Sequence, residues 1–294
     1  MTAMTGCFAL LITGSCTLAH AAPLEFSKGL DIRADVGFMF DDNVTRAKES
    51  ADKLADRSYS LNLSKPLIYP LADHARILFN GSVGGEKFIH YSGLSHIFGS
   101  VSGELQYRSY AEFTAPTFAV FARGFAEQYQ SRLRDSSRFS VGVSMKQPVT
   151  DRIQIFGALT HNQRQANSAV FDTKDNAARL NLDYTATRSG TLYLTGEYRR
   201  GDVVSTGHPS LEFIDIAKVF VQDDAYPGGQ FYSYRFDGTT VLTTLGYNIG
   251  FSSRRSLDLS WRRIKSTSAR SPNYATSAAS YVANQFSIVY LVNF

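Results

Sequence analysis

From Leu30 to the last residue one pattern recurs: apolar and polar side chains alternate with a period of two. Leu30, Ile32, Ala34, Val36, Phe38 and Phe40 fall on one face, and Asp31, Arg33, Asp35 and Gly37 on the other. Ile97, Val101, Leu105 and Tyr107 oppose Ser100, Ser102, Glu104, Gln106 and Arg108. Leu180, Leu182 and Tyr184 oppose Arg179, Asn181 and Asp183, and Leu257, Leu259 and Trp261 oppose Asp258, Ser260 and Arg262. Such a period specifies strands, not helices. The apolar face is almost free of charge, and the polar face carries more charge than the interior of a soluble sandwich tolerates. A soluble sheet would need a second sheet over its apolar face, and no strands apolar on both sides stand out. A membrane barrel resolves this by turning the apolar face to lipid and the polar face to a lumen.

Segment lengths agree, since a tilted membrane strand needs about 9 to 11 residues. Strands are expected near 29–40, 58–70, 76–89, 96–110, 117–129, 139–149, 152–164, 178–187, 191–200, 239–250, 256–266 and 281–294. That makes about twelve, an even number typical of bacterial barrels. Short connections (72–75, 112–116, 149–151, 188–190, 252–255) alternate with longer polar ones, 90–95 being a short exception. The alternation predicts periplasmic turns and external loops, with both termini in the periplasm. The terminal strand QFSIVYLVNF has to pair with 29–40, because closure alone removes the sheet edges. The longest connection, 201–238, is too apolar for idle coil. It is expected to constrict the lumen, to extend its flanking strands, or to hold one more hairpin and give fourteen strands.

Residues 1–22 read as an export signal: a short apolar run from Cys7 to Thr13, then small residues up to Pro23. The expected domains are this leader and one barrel, 23–294. Both cysteines, Cys7 and Cys16, lie in the leader, so no disulfide or cysteine-metal site is expected in the mature chain. A formal charge of +4 without any basic run gives no reason to expect nucleic-acid binding.

The end of the chain resembles the signature that Gram-negative outer-membrane proteins present to the barrel-assembly machinery. Phe294, Val292, Tyr290, Ile288 and Phe286 match its terminal aromatic and spaced apolar positions. FDDNVTRA (40–47) resembles the opening hairpin of a broad set of outer-membrane barrels, including the barrel part of surface lipoprotein assembly modifiers. Within that motif Asp41, Asp42 and Asn43 read as an Asx-rich turn in preference to a cation site. The partners this resemblance implies are outer-membrane lipid and the assembly machinery.

By parity the lumen receives Arg33, Arg76, Arg108, Arg123, Lys146, Arg164, Arg179, Arg199 and Arg262, and Asp31, Asp35, Glu86, Glu104, Glu127, Asp183, Glu197 and Asp258. Their near-balance argues against a strongly anion-selective pore. Two uses fit them: cross-strand pairing that fills a narrow barrel, or a polar constriction for a small hydrophilic solute. The leading expectation is a porin-like passive channel. A plugged scaffold for surface interaction or assembly is the alternative. Asp223, Asp224, Tyr232 and Tyr234 are candidates for solute contact. A lipid hydrolase is third: Ser137, His161 and Asn176 share outward parity near the external rim, where a nucleophile, base and orienting group would have to meet. His90 and His96 flank one loop but lack a carboxylate set for a metal. No cofactor is expected.

Overall fold

The computed structural model describes residues 32–110, 112–273 and 277–294; the expected leader 1–22 and Asp31 lie outside them. Its strands are β1 (Arg33–Asp41), β2 (Asp56–Ala72), β3 (Ala75–Phe88), β4 (His96–Arg108), β5 (Thr117–Tyr129), β6 (Ser136–Pro148), β7 (Ile153–Ala166), β8 (Thr173–Thr187), β9 (Gly190–Gly207), β10 (Val219–Gln222), β11 (Tyr232–Ser252), β12 (Arg255–Ser268) and β13 (Ser280–Asn293). A short helix, α1 (Leu211–Ile216), precedes β10. Every pairing is antiparallel, β9 joins β11, and β1 joins β13. The result is a closed 12-strand barrel, with β10 as an extra strand on the free edge of β11 beyond the end of β12. Among the described residues no helix is long and apolar enough to cross a membrane.

The twelve expected strands are all present, and the described residues do not form fourteen. The 201–238 connection mostly lengthens its neighbours: β9 continues to Gly207 and β11 begins at Tyr232. The strands tilt, as closure requires. One row of cross-strand partners, Pro66, Asn80, Ser102, Arg123, Ser140, Asn162, Asp175, Gly201, Gly238 and Ser268, starts near the β2–β3 turn and finishes at the external end of β12.

Side-chain facing follows the sequence period. Val83, Ile97, Val101, Val120, Leu159 and Leu180 are exposed on the outer wall. Their alternates turn inward, among them Asn62, Ser140, Thr195 and Gln285, which are buried. In water such an outer face would be a severe liability; in hydrocarbon it is the required surface.

The FDDNVTRA segment fastens the closing seam. Asp42 accepts hydrogen bonds from the Asn284 backbone N–H (2.7 Å) and side chain (2.8 Å) on β13. Asn43 donates to the carbonyls of Ala47 (2.9 Å) and Val282 (3.0 Å) and accepts from Thr45 Oγ1 (3.0 Å) and the Ala47 N–H (2.9 Å). Asp41 holds Arg46 bidentately at 2.8 and 2.6 Å and also accepts from Gln285. The acidic pair and Asn43 therefore form a turn and a clasp, as the Asx reading expects. Replacing buried Asn43 with alanine strands several backbone groups and should cost about 1–3 kcal/mol. A lower temperature for the band shift of unheated against heated samples on SDS gels checks this.

Candidate functional site: the lumen and its external cap

Six external connections (42–55, 89–95, 130–135, 167–172, 208–231, and 269–273 with 277–279) bend over the mouth and pack on one another. One apolar cluster draws Val44 from the first, Leu94 from the second, Val170 and Phe171 from the fourth, and Ala225, Tyr226 and Phe231 from the fifth; Met39, Phe88 and Val204 complete it from the strand ends. Gly93 passes so close to Ala225 that a Cβ there would overlap its backbone. A second cluster places Phe213 of α1 against Tyr234 and Phe236, with Ile264 and Tyr281 beneath. The first loop reaches across the mouth: the Thr206 N–H donates to the Thr45 carbonyl (2.9 Å), and the Tyr226 hydroxyl donates to the Val44 carbonyl (3.1 Å).

A buried ion pair sits in the cap. Arg134 and Asp223 have side chains 0% exposed, joined through two hydrogen bonds, one of 2.6 Å. Arg134 also lies over the Phe171 ring at 4.3 Å, and Asp223 accepts from Ser233 at 2.6 Å. Burial alone would raise the Asp223 carboxyl, but Arg134 and Ser233 hold it below the usual range. Burial would likewise lower Arg134, and Asp223 keeps it above its ordinary value. Burial takes Asp223 and Tyr234 out of reach of a solute, whereas Asp224 is exposed and Tyr232 half-buried. Asp223 and Tyr234 are structural members of the cap, and Asp224 accepts a hydrogen bond from Ser131. Tyr232 packs against the second cluster.

Below the cap, most acids have near partners. Glu127 receives Arg138 (3.1 Å) and Arg164 (3.6 Å), Glu197 receives Arg199, and Asp35 receives Arg33 (2.8 Å). Glu86 accepts from Ser58, Asp258 from the Tyr193 hydroxyl (2.9 Å), Asp183 from Gln154 and Asn181, and Glu104 from Gln106. Arg76 bonds Gln106, and Arg108 bonds carbonyls of the 109–116 turn, so both sit at the periplasmic rim. Lys146, on β6, faces inward from the periplasmic half of that strand.

Three guanidiniums differ. Arg123 lies over the Phe121 ring at 4.4 Å, Arg262 reaches only Thr244 Oγ1 (3.2 Å) by hydrogen bond, and the buried Nε of Arg179 has no partner. Among the described residues none of the three has a carboxylate within ion-pairing distance. They project from β5, β8 and β12; two barrel strands separate β5 from β8 and β8 from β12, and five separate β12 from β5, so the three line one side of the lumen. Glu104, Glu197 and Asp258 lie within electrostatic reach of Arg123, Arg179 and Arg262 respectively, without forming ion pairs with them. Arg138, two residues before Ser140 on the inward parity of β6, was assigned by pattern to a connection; it bonds Glu127 and lies over Phe125 at 4.3 Å.

The rim residues do not assemble a hydrolytic centre. His161 bonds Asn176 at 2.9 Å, but its partner across β6 is Val141, and Ser137 pairs with Gln165 four positions farther along. At about 3.3 Å per residue, Ser137 is well outside hydrogen-bond reach. His90 is held by Asp56 (2.9 Å), while His96 stacks on Tyr129 at 4.5 Å, so each is engaged separately.

The closed ring and its inverted faces decide the architecture. The fold is that of a porin-like outer-membrane β-barrel. Comparison with solved structures agrees: an outer-membrane channel from Pseudomonas putida F1 aligns with a TM-score of 0.56 at 11% identity, over 92% of this chain and 100% of that one. The KdgM porin in complex with disordered oligogalacturonate is similar at a TM-score of 0.46 and 9% identity, over 89% of this chain and 99% of that one. The NanC porin gives 0.45 at 10% identity over 89% and 99%. No family model matches the chain, and no curated protein matches it. In this porin-like barrel the cap covers the external mouth and the arginine triplet lies on the inward face of the wall.

Proposed function

We propose that the barrel is a passive channel for small hydrophilic solutes, closed at its external mouth by its own loops, and that its lumen favours anions. The carrying observation is the triplet Arg123, Arg179 and Arg262. A barrel filled only for stability would pair these charges, because an uncompensated inward cation costs free energy. With no carboxylate in direct ion-pair contact, they offer a solute three sets of donors suited to carboxylate or phosphate oxygens. The channel named for the similar Pseudomonas barrel supports the same reading. The terminal strand, with Phe286, Ile288, Tyr290, Val292 and Phe294, is in this reading the segment the assembly machinery engages, and residues 1–22 direct export before they are removed.

Planar-bilayer recording of refolded 23–294 tests the proposal. Infrequent openings are expected, becoming steady once the 208–231 loop is shortened. A folded barrel that stays silent even with that loop shortened is a plugged scaffold, and the channel reading fails.

A further inference from the structure

The outer wall carries a feature that a uniform lipid-facing surface lacks. A depression of about 940 Å³ crosses β4 to β11 on the lipid side, almost wholly apolar. It runs from Tyr107 and Phe118, near the periplasmic ends of β4 and β5, toward Leu180, Tyr198 and Val241. Its floor is deep where outward side chains are minimal. A Cβ at Gly196 would meet nothing within 4 Å; its partner on β8 is Leu180, whose partner on β7 is Gly157, and Ala178 lies diagonally beside Gly196 on β8.

At the external end of this groove four cations face outward. Arg200 stands two residues above Tyr198 on β9, and Lys174 four residues above Ala178 on β8. Lys265 and Arg263 pair across β12 with Val241 and Thr243, which line the groove. All four are exposed, and among the described residues none has a carboxylate within ion-pairing distance. The acids nearest them, Asp202 and Asp237, lie above and are both held by Lys218, at 2.8 and 2.6 Å. The local balance, Lys174, Arg200, Lys218, Arg263 and Lys265 against Asp202 and Asp237, is five positive charges to two negative.

Unpaired cations at the edge of hydrocarbon need an anion of the membrane itself, and long basic side chains reach such groups by snorkelling. Apolar groove and cationic rim together have the polarity of one lipid: acyl chains below, phosphates above. We infer that this face is a specific binding site for a phosphorylated, multiply acylated glycolipid of the external leaflet. The side is fixed by the rim, which belongs to the external halves of β8, β9 and β12, and charge complementarity selects the phosphorylated form.

Binding to the refolded barrel in detergent, followed by native mass spectrometry, tests the site. The probes are bis-phosphorylated hexa-acyl lipid A, the same lipid without phosphates, and phosphatidylglycerol. The phosphorylated glycolipid is expected to bind at least about tenfold more tightly than the other two. The variant Lys174→Gln/Arg200→Gln/Lys265→Gln should lose that preference. Gly196→Leu, which fills the groove from open space, should weaken all binding there while the barrel keeps its gel shift. Equal binding of the phosphate-free lipid, equal binding of phosphatidylglycerol, or no response to the triple variant would each overturn the proposal. Channel conductance plays no part in the readout.

Discussion

Asp223→Ala should open the external mouth. The substitution leaves the Arg134 guanidinium buried among Phe171, Tyr226 and Ser131 without its carboxylate. Removing one partner of a buried pair costs about 3–5 kcal/mol. The cap is built from loops, so the loss falls on its closure and not on the strand ladder. Steady conductance should replace rare openings, and trypsin should cleave after Arg134, which is protected while its side chain is buried. Arg134→Met/Asp223→Leu should close the mouth again, because apolar side chains of similar volume remove the unpaired charge. The acid response has a defined sign. Asp223 is depressed in the folded chain, so its contribution is complete above the ordinary carboxylate value near 3.8 and is lost as pH falls through its lowered value. The cap should thus persist through mild acid and loosen only in strong acid. Conductance and cleavage of Asp223→Ala matching the parent chain would show that the ion pair does not hold the mouth.

The second large effect concerns selectivity. Arg123→Gln/Arg179→Gln/Arg262→Gln, made in the open Asp223→Ala background, should move the reversal potential in a salt gradient away from anion preference. A unit charge 4 Å from a passing ion contributes about 1 kcal/mol in bulk water, about a fivefold change in occupancy, and more in a narrow lumen. Each single variant should give part of the shift. An unmoved reversal potential would mean that the triplet serves packing and that selectivity arises elsewhere.

The barrel was legible because lipid enforces a strict period: every outward residue between the interfaces must be apolar, as in Ile97, Val101 and Leu105. Above the membrane that pressure ends. β8 begins at Thr173, in the polar run TKDNA, five residues before the apolar pattern shows it. Val203, Val204, Ser205 and Thr206 near the end of β9 are all buried, so the strand persists where its alternation disappears. Parity puts Arg123, Arg179 and Arg262 on the inward face, yet it could not tell them from Arg164 and Arg199. Pairing depends on register between strands, and register is not local information. The Arg134–Asp223 bond, linking connections 89 residues apart, left no trace in composition or spacing.

The clasp formed by FDDNVTRA has a bearing on time. Asp41, Asp42 and Asn43 find partners in Gln285, Asn284 and Val282, some 240 residues away. Those bonds can form only after the last strand has arrived, so they belong to the final event of assembly. Interactions missing from the transition state chiefly slow the reverse reaction. The motif therefore governs lifetime more than rate of formation: it does little to bring the two edges together, and much to decide how long they stay joined.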